Sequence, residues 1–183
     1  MQRNEALIYL KEQLKQKNLV NHCIAVEYIM AALAEKLEQD IELWSLAGLL
    51  HDIDYDQTAK DPEKHSLLGA EMLQEKGLPE DLVYAVKVHN EVHGLPRLSL
   101  LDKALYAADP LSGLVVAGAL IHPDKKLAPL TPEFMLKRFA EKSFARGANR
   151  EQILACSEIG LSLEEFITIG LVAMQAHASE LGL

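Results

Sequence analysis

The stretch of the sequence with the clearest chemical potential is an apolar run, residues 46–50, that leads directly into His51 and Asp52. Burying a carboxylate at the end of an apolar segment is costly unless another group compensates its charge. A divalent cation is the usual compensator, because imidazole nitrogens and carboxylate oxygens bind the same metal ions. We therefore predict that His51 and Asp52 are metal ligands.

Residues on other predicted helices complete a ligand set. His22 lies upstream, and Asp109 follows an apolar helical stretch in which an unpaired carboxylate would be poorly solvated. With the His51-Asp52 pair they give two imidazoles and two carboxylates, enough to hold one divalent ion and leave positions open for water and substrate. His65 and His89 add two imidazoles, enough for a second ion if Asp52 bridges both. Taken singly, His22 or His65 is better explained as a packed core histidine.

The elements that must position these residues are predicted to be helices. Apolar residues recur at helical spacing, Leu and Ala abound, and aromatic residues make up only 5% of the chain. No alternating β pattern of useful length is present. The predicted helices are 3–16, 20–38, 41–51, 63–76, 79–93, a long helix from 99 that Pro110 kinks or ends, 132–145, 149–159 and 162–181. The segments 54–62 and 122–132 are predicted connections.

The fold class that we predict is all-α, a single-domain helical bundle. We divide the chain into an N-terminal helix (1–17), a core that carries the ligand set (18–121) and a C-terminal helical extension packed on that core (122–183). Asp40 is a predicted N-cap. Ser162 and Glu165 form a predicted capping box.

Composition limits the classes of partner. The net charge of −9 argues against a nucleic acid polymer or an anionic membrane as partner. We find no signal peptide and no apolar run near the roughly 18 residues that span a bilayer, and we predict a cytoplasmic protein. Cys23 and Cys156 lack CxxC spacing and are predicted to be reduced core residues. The apolar stretch from Phe166 to Met174 is predicted to pack either on the core of its own chain or against a second copy in a homo-oligomer.

The order H…HD…H…H…D resembles the HD superfamily of metal-dependent phosphohydrolases, which are helical. The segments KHSLLGAEML, VKVHNEVHGLP and LLDKALYAAD carry the resemblance over residues 18–112. They are similar to the branch with a binuclear site, and LKRFAEKSFARGANREQI is similar to a group of predicted HD-superfamily hydrolases. The resemblance implies a first ion bound by four residues, His22, His51, Asp52 and Asp109. It assigns a second ion to His65 and His89, with Asp52 bridging.

The function that we predict is hydrolysis of a small phosphate ester, with a nucleotide as the expected substrate. His51 and Asp52 are the predicted catalytic residues, acting through metal-activated water. One or two divalent transition metal ions are the predicted cofactor, and Mn, Fe, Co, Ni and Zn all suit the donor set. Two alternatives stay open. One is a non-catalytic metal- or nucleotide-binding module with a regulatory role, and the other is a purely structural helical protein.

Contacts to an anionic substrate need local cations in this acidic chain. Arg97 and Lys103 precede Asp109 and are predicted substrate contacts. His93, one helical turn after His89, either lines the pocket or lies at the surface. A basic stripe in the C-terminal part is either a further anion contact or a solvated helix face with Glu133 and Glu141 as partners. The stripe comprises Lys137, Arg138, Lys142 and Arg146.

Two departures from the family pattern bear on the site. The common HDIG form has Gly where this chain has Asp54. Asp54 is either a partner that orients His51 or a solvated loop acid. The HD-GYP group carries a Gly-Tyr-Pro signature, whereas this chain reads Gly-Leu-Pro at 94–96, which argues against cyclic dinucleotides as substrates.

Overall fold

The computed structural model describes residues 1–141 and 143–183, so Lys142 of the predicted basic stripe lies outside the described residues. Over the described residues the regular elements are helices and no strand is present, which confirms the all-α prediction. The helices are α1 (Arg3–Gln13), α2 (Lys17–Lys36), α3 (Ile41–Leu50), α4 (Tyr55–Thr58), α5 (Leu67–Glu75), α6 (Glu80–Val88), α7 (Leu100–Ile121), α8 (Pro132–Ala140), α9 (Arg150–Leu154), α10 (Leu163–Ala176) and α11 (Ala178–Leu181). Short 3₁₀ turns cover Glu91–His93 and Ala155–Ile159.

The helices α2, α3 and α7 form the centre of the bundle, and α2 crosses α3 at very short range. Gly48 makes this crossing possible. A Cβ atom at position 48 would lie 2.8 Å from the carbonyl oxygen of Val26 and 2.9 Å from the Cα of Glu27. Because these neighbours are backbone atoms, the two helices can come this close only where α3 has no side chain.

The helix α7 differs from expectation in two ways. It does not end at Pro110 but continues to Ile121. Several of its residues after Pro110 lie in the core, where Leu111 and Leu114 are fully buried. An 18-residue window of α7 has a mean hydropathy of 1.6, so this helix is long and apolar enough to cross a membrane, which contradicts the prediction that no apolar run approaches that length. In the bundle 67% of that window is buried. The helical segments 150–159 and 163–176 are long and apolar enough to cross a membrane only when they are taken together, and they meet at an angle of 102°.

Other differences concern helix boundaries near the ligand residues. The loop predicted over 54–62 contains the short helix α4. The helix predicted from residue 63 begins at Leu67, because Ser66 has a φ of 71°, in the left-handed region that a helix excludes. His65 therefore lies in a turn before α5. The helix predicted to reach residue 93 ends at Val88, so His89 occupies its C-cap.

Several local predictions are confirmed. The side chain of Asp40 accepts a hydrogen bond from the backbone N–H of Leu43 at 3.0 Å. Ser162 and Glu165 form the reciprocal capping box. Cys23 and Cys156 are both free and buried.

The two ends of the chain meet on α2. Arg3 of α1 donates to both carboxylate oxygens of buried Glu27, at 2.5 and 2.9 Å, and lies 3.1 Å from Glu180 of α11. The C-terminal elements contact the core through α10, which packs on α2 and α7, and through α8, α9 and the 155–159 turn, which pack on α7. These contacts hold α2 and α7 in the positions from which His22 and Asp109 project.

Candidate metal centre

Four ligand candidates from three helices converge within the bundle. The Nε2 atom of His22 (α2) lies 3.1 Å from Oδ1 of Asp109 (α7), 3.2 Å from Nε2 of His51 and 3.5 Å from Oδ2 of Asp52. His51 Nε2 lies 3.5 Å from the same Asp52 oxygen and 3.8 Å from Asp109 Oδ1. Atoms that share one ion at about 2.0–2.2 Å lie roughly 3–4 Å apart. We call His22, His51 and Asp109, with Oδ2 of Asp52, the first ligand group.

The other carboxylate oxygen of Asp52 faces two more imidazoles. Asp52 Oδ1 lies 3.3 Å from Nε2 of His65 and 3.5 Å from Nε2 of His89. We call His65 and His89, with this oxygen, the second ligand group. Metal-like geometry is also met by His51, Asp52 and His89 together, whose ligand atoms lie within 4.8 Å of one another. Asp52 therefore lies between two sets of donors, as a bridging carboxylate would.

His51 and His89 are oriented by the ends of their own helices. Each occupies the C-cap of its helix, and each donates from Nδ1 to the carbonyl oxygen three residues earlier. His51 bonds Gly48 at 2.8 Å and His89 bonds Val86 at 2.6 Å. A carbonyl only accepts, so Nδ1 carries the proton and Nε2 presents its lone pair to the centre. This arrangement is typical of histidines that bind metals.

His22 is oriented by a residue that sequence reasoning missed. The hydroxyl of Ser112 donates to the backbone carbonyl of Asp109 at 2.9 Å, so its oxygen is free to accept from Nδ1 of His22 at 2.8 Å. Ser112 lies one helical turn after Asp109 on α7. That spacing was the one available signal, and it does not distinguish Ser112 from any other helix serine.

Asp54 corrects a prediction. It is neither a solvated loop acid nor a partner of His51, since it is fully buried and accepts from Nδ1 of His65 at 3.0 Å. Its other oxygen accepts from the backbone N–H groups of Ser66 and Gly69, at 2.8 and 3.0 Å. Asp54 thus serves the second ligand group and the start of α5.

The charges of the cluster call for a cation. Burial disfavours the imidazolium form of His22, but hydrogen bonds to Asp109 and Asp52 outweigh it and raise the pKa of His22 to about 10. The same balance, with Asp52 and Asp54, raises the pKa of His65 to about 10. Burial also disfavours the carboxylate forms, yet the surrounding imidazoles hold the pKa of Asp52 and of Asp109 well below the ordinary value. The carboxylates thus stay charged, and protons or a metal ion must balance them.

The predicted substrate contacts lie around this centre in different settings. His93 is half-buried, and its Nε2 donates to the backbone carbonyl of His65 at 2.8 Å, so it supports the turn that carries His65. Arg97 lies 3.1 Å from Glu158, and its guanidinium stacks 3.8 Å above the Tyr106 ring. Arg97 thus bridges Tyr106 of the core and Glu158 of the C-terminal extension.

Lys103 remains a predicted substrate contact, and the basic stripe stays open between an anion contact and a solvated helix face. Lys103 is half-buried on α7, six residues before Asp109. Six residues correspond to about 9 Å along a helix and a direction about 120° away, so α7 does not bring the two side chains together. In the stripe, Arg138 pairs with Glu141 at 2.6 Å, as the solvated-face interpretation expects, and Lys137 and Arg146 are exposed.

Comparisons with known proteins agree with this geometry. The family model of the HD domain matches residues 19–114, just over half of the chain. Ribonuclease Y of Desulfotalea psychrophila is 32% identical over 97 residues, which cover 53% of this chain and 18% of that protein. Ribonuclease Y 1 of Pediococcus pentosaceus is 29% identical over 157 residues, 81% of this chain and 30% of that protein.

An uncharacterized protein of Methanocaldococcus jannaschii is 38% identical over 94 residues, which cover 49% of this chain and 54% of that protein. No solved structure gives a significant match. The chain thus spans less than a third of the Ribonuclease Y relatives named above and about half of the archaeal one. The similarity to Desulfotalea Ribonuclease Y spans about the length of the HD match, whereas the Pediococcus alignment runs well beyond it.

Proposed function

Because the chain belongs to the HD domain family, we propose that it is a metal-dependent phosphohydrolase that acts on a small phosphate ester, with a nucleotide as the expected substrate. One observation carries the proposal. Four histidines present Nε2 towards the two oxygens of Asp52 while their Nδ1 atoms are held by other groups. Such an arrangement fits a metal centre, whereas an apolar core gains nothing from burying these polar groups together.

The residues of the first ligand group would hold one divalent ion, and those of the second would hold another, with Asp52 shared. Mn, Fe, Co, Ni and Zn ions suit these nitrogen and oxygen donors. A bound ion supplies the activation of water and the neutralisation of phosphoryl oxygens that this chemistry needs.

The exposed edge of the centre indicates where a phosphate ester enters. The side chains of Asp109 and His22 are 31% and 23% exposed, whereas those of His51 and His89 are 0% and 3% exposed. His51 and His89 therefore form the closed back of the site, and a substrate approaches past Asp109 and His22. This buried side excludes water and keeps the predicted catalytic residues, His51 and Asp52, in fixed positions.

A second candidate substrate comes from the relatives. Two relatives that match the HD segment are named Ribonuclease Y, which favours a phosphodiester of RNA. The net charge of −9 opposes this, because polymer binding depends on neutralising many phosphates with basic residues. We therefore keep the small ester as the main proposal and make RNA an outcome of the test.

The test combines metal analysis with a substrate panel. Purified protein, reloaded with Mn, Fe, Co, Ni or Zn, is assayed with p-nitrophenyl phosphate, nucleoside mono- and polyphosphates and a short RNA, beside Asp52→Ala. Asp124→Ala, at a side chain that is 65% exposed, is the matched control. We expect the wild type and the control to bind metal and hydrolyse a small ester, and Asp52→Ala to do neither.

Each contrary result has a defined meaning. Metal binding without hydrolysis of any substrate overturns the enzyme proposal in favour of a non-catalytic binding module. Hydrolysis of RNA alone replaces the small ester by the second candidate. A chain that binds no metal, or an activity that survives in Asp52→Ala, refutes the metal-dependent mechanism.

A further inference from the structure

The four histidines of the centre are not anchored alike. His51 and His89 use the carbonyl three residues earlier in a regular helix end, and His22 uses the neutral hydroxyl of Ser112. His65 has no helix of its own to rely on, because it lies in the turn before α5. Its Nδ1 is instead held by the carboxylate of Asp54.

Asp54 is built into the structure by more than this one contact. It is fully buried, and its two carboxylate oxygens accept hydrogen bonds from different groups. Oδ1 accepts from His65, whereas Oδ2 accepts from the N–H groups of Ser66 and Gly69 at the first turn of α5. One carboxylate therefore fixes both the imidazole and the backbone that carries it.

The backbone around Asp54 is shaped to admit it. Ser66 takes a φ of 71°, which turns its N–H towards the carboxylate at the cost of an unfavourable conformation for a residue with a side chain. A Cβ at position 69 would lie 3.3 Å from Cγ of Asp54, tighter than an ordinary contact, and Gly69 leaves that space open. Strain and space of this kind persist only where other contacts compensate for them.

We propose that Asp54 is the positioning residue of the second ion: its hydrogen bond to Nδ1 aims Nε2 of His65, so the second ligand group binds an ion tightly only while this carboxylate is in place. The proposal rests on the proposed function, within which a second ion is bound. Asp54 stands where the common form of the motif has Gly, so this anchor is supplied by the chain's own sequence. The first ligand group has its own anchors and does not depend on Asp54.

The experiment is a Mn²⁺ titration of the full-length chain, read by calorimetry and elemental analysis, for the wild type and Asp54→Asn. Loss of an outer partner of a metal ligand weakens binding by about 10–100-fold. We expect this loss for the second ion only, with the first ion's affinity unchanged within about twofold. Asn keeps the size of the side chain and one acceptor oxygen, and circular dichroism checks that the variant folds.

A double-mutant cycle separates positioning from a general structural role. If Asp54 acts through His65, then Asp54→Asn adds nothing to the binding defect of His65→Ala. A further loss in that background, or an equal loss of both ions in Asp54→Asn, overturns the positioning role. Gly69→Ala, which crowds the carboxylate without removing charge, should reproduce the selective loss in part.

The outcomes also separate this inference from the proposed function. If wild type binds two ions and Asp54→Asn binds them equally well, the positioning role is wrong and the phosphohydrolase proposal stands. If the wild type binds a single ion and hydrolyses phosphate esters, the second ion and the positioning role of Asp54 are both refuted. The phosphohydrolase proposal then stands. If wild type binds no ion, both proposals fail.

Discussion

The first and second ligand groups achieve the same arrangement of imidazoles with different kinds of structure. In the first group His22 and Asp109 project from α2 and α7, and His51 caps the end of α3, so all three are held by helices that pack at the centre of the bundle. In the second group His89 ends a helix, but His65 lies in a turn. A turn has no helical hydrogen bonds of its own, so its geometry depends on individual side chains.

The second group accordingly rests on a set of single contacts. Asp54 holds the ring of His65, while Asn90 and His93 bond its backbone carbonyl, at 3.2 and 2.8 Å. The side chain of Asn90 also donates to the carbonyl of Pro62 at 2.8 Å. The comparison indicates that helix packing places most of the first group, whereas the second depends on single side-chain contacts, so we expect point substitutions to weaken the second group without unfolding the core.

The largest expected effect comes from the residue that the two groups share. Asp52→Ala removes both the oxygen that faces His22 and the oxygen that faces His65. We expect both ions to be lost and hydrolysis to fall to background, measured by elemental analysis and phosphate release. Retention of one tightly bound ion would show that the groups do not share this carboxylate. Asp124→Ala should behave as wild type.

The next effect tests whether the first group is fixed by helix packing. Gly48→Ala places a methyl group against the backbone of α2, and overpacking of this kind costs about 1–3 kcal/mol. The same change displaces the carbonyl that anchors His51, so affinity for the first ion should fall as well. Denaturant unfolding of the metal-free protein and calorimetric titration measure the two effects.

Gly113→Ala is the matched control for that substitution. Gly113 also lies inside a helix, but nothing lies within 4 Å of a Cβ built there. The change should leave stability unchanged or raise it by up to about 1 kcal/mol, the difference in helix propensity. Equal destabilisation by both substitutions would contradict the close crossing of α2 and α3.

Much of this comparison was accessible from the sequence, and the rest was not. The all-α fold was predictable from apolar spacing. The candidate ligands were predicted from their types and order together with the resemblance to the HD superfamily. The anchors did not follow. Ser112 and Gly48 have no distinctive sequence signal, since their roles depend on which helices cross and at what distance.

The misplaced predictions share a physical cause. From the sequence Asp54 is either a partner of His51 or a solvated loop acid, yet the chain turns after His51 and brings Asp54 to His65. Pro110 is a predicted end or kink of α7, but the helix does not end there and continues through tertiary packing to Ile121. In both cases contacts between distant segments outweigh the local pattern.

The two groups should respond alike to pH, although their anchors differ. The pKa of His22 and that of His65 are both raised to about 10, so each imidazole carries a proton at neutral pH that a metal ion must displace. Affinity for each ion should therefore fall as pH falls, by about tenfold per pH unit for one displaced proton. Calorimetry in two buffers of different ionisation enthalpy counts the protons. Release of none at pH 7 would contradict the raised pKa values.

A smaller effect tests the anchor of the first group. Ser112→Ala removes the oxygen that accepts from Nδ1 of His22, and we expect the first ion to bind about 10-fold more weakly with the second unchanged. Ser45→Ala, which removes a helix serine bonded only to its own helix, is the control and should change neither affinity. If Ser112→Ala weakened both ions equally, the two groups would not be independently anchored.

The smallest effect concerns the turn of the second group. His93→Ala removes one hydrogen bond to the carbonyl of His65, worth about 1 kcal/mol, so the second ion should bind roughly fivefold more weakly. The first ion should be unaffected, because none of its candidate ligands lies in the turn that carries His65. His122→Ala, on the connection after α7, is the matched histidine control. A defect in hydrolysis without any change in metal affinity would instead identify His93 as a contact to substrate, and Mn²⁺ titration beside steady-state kinetics distinguishes the two roles.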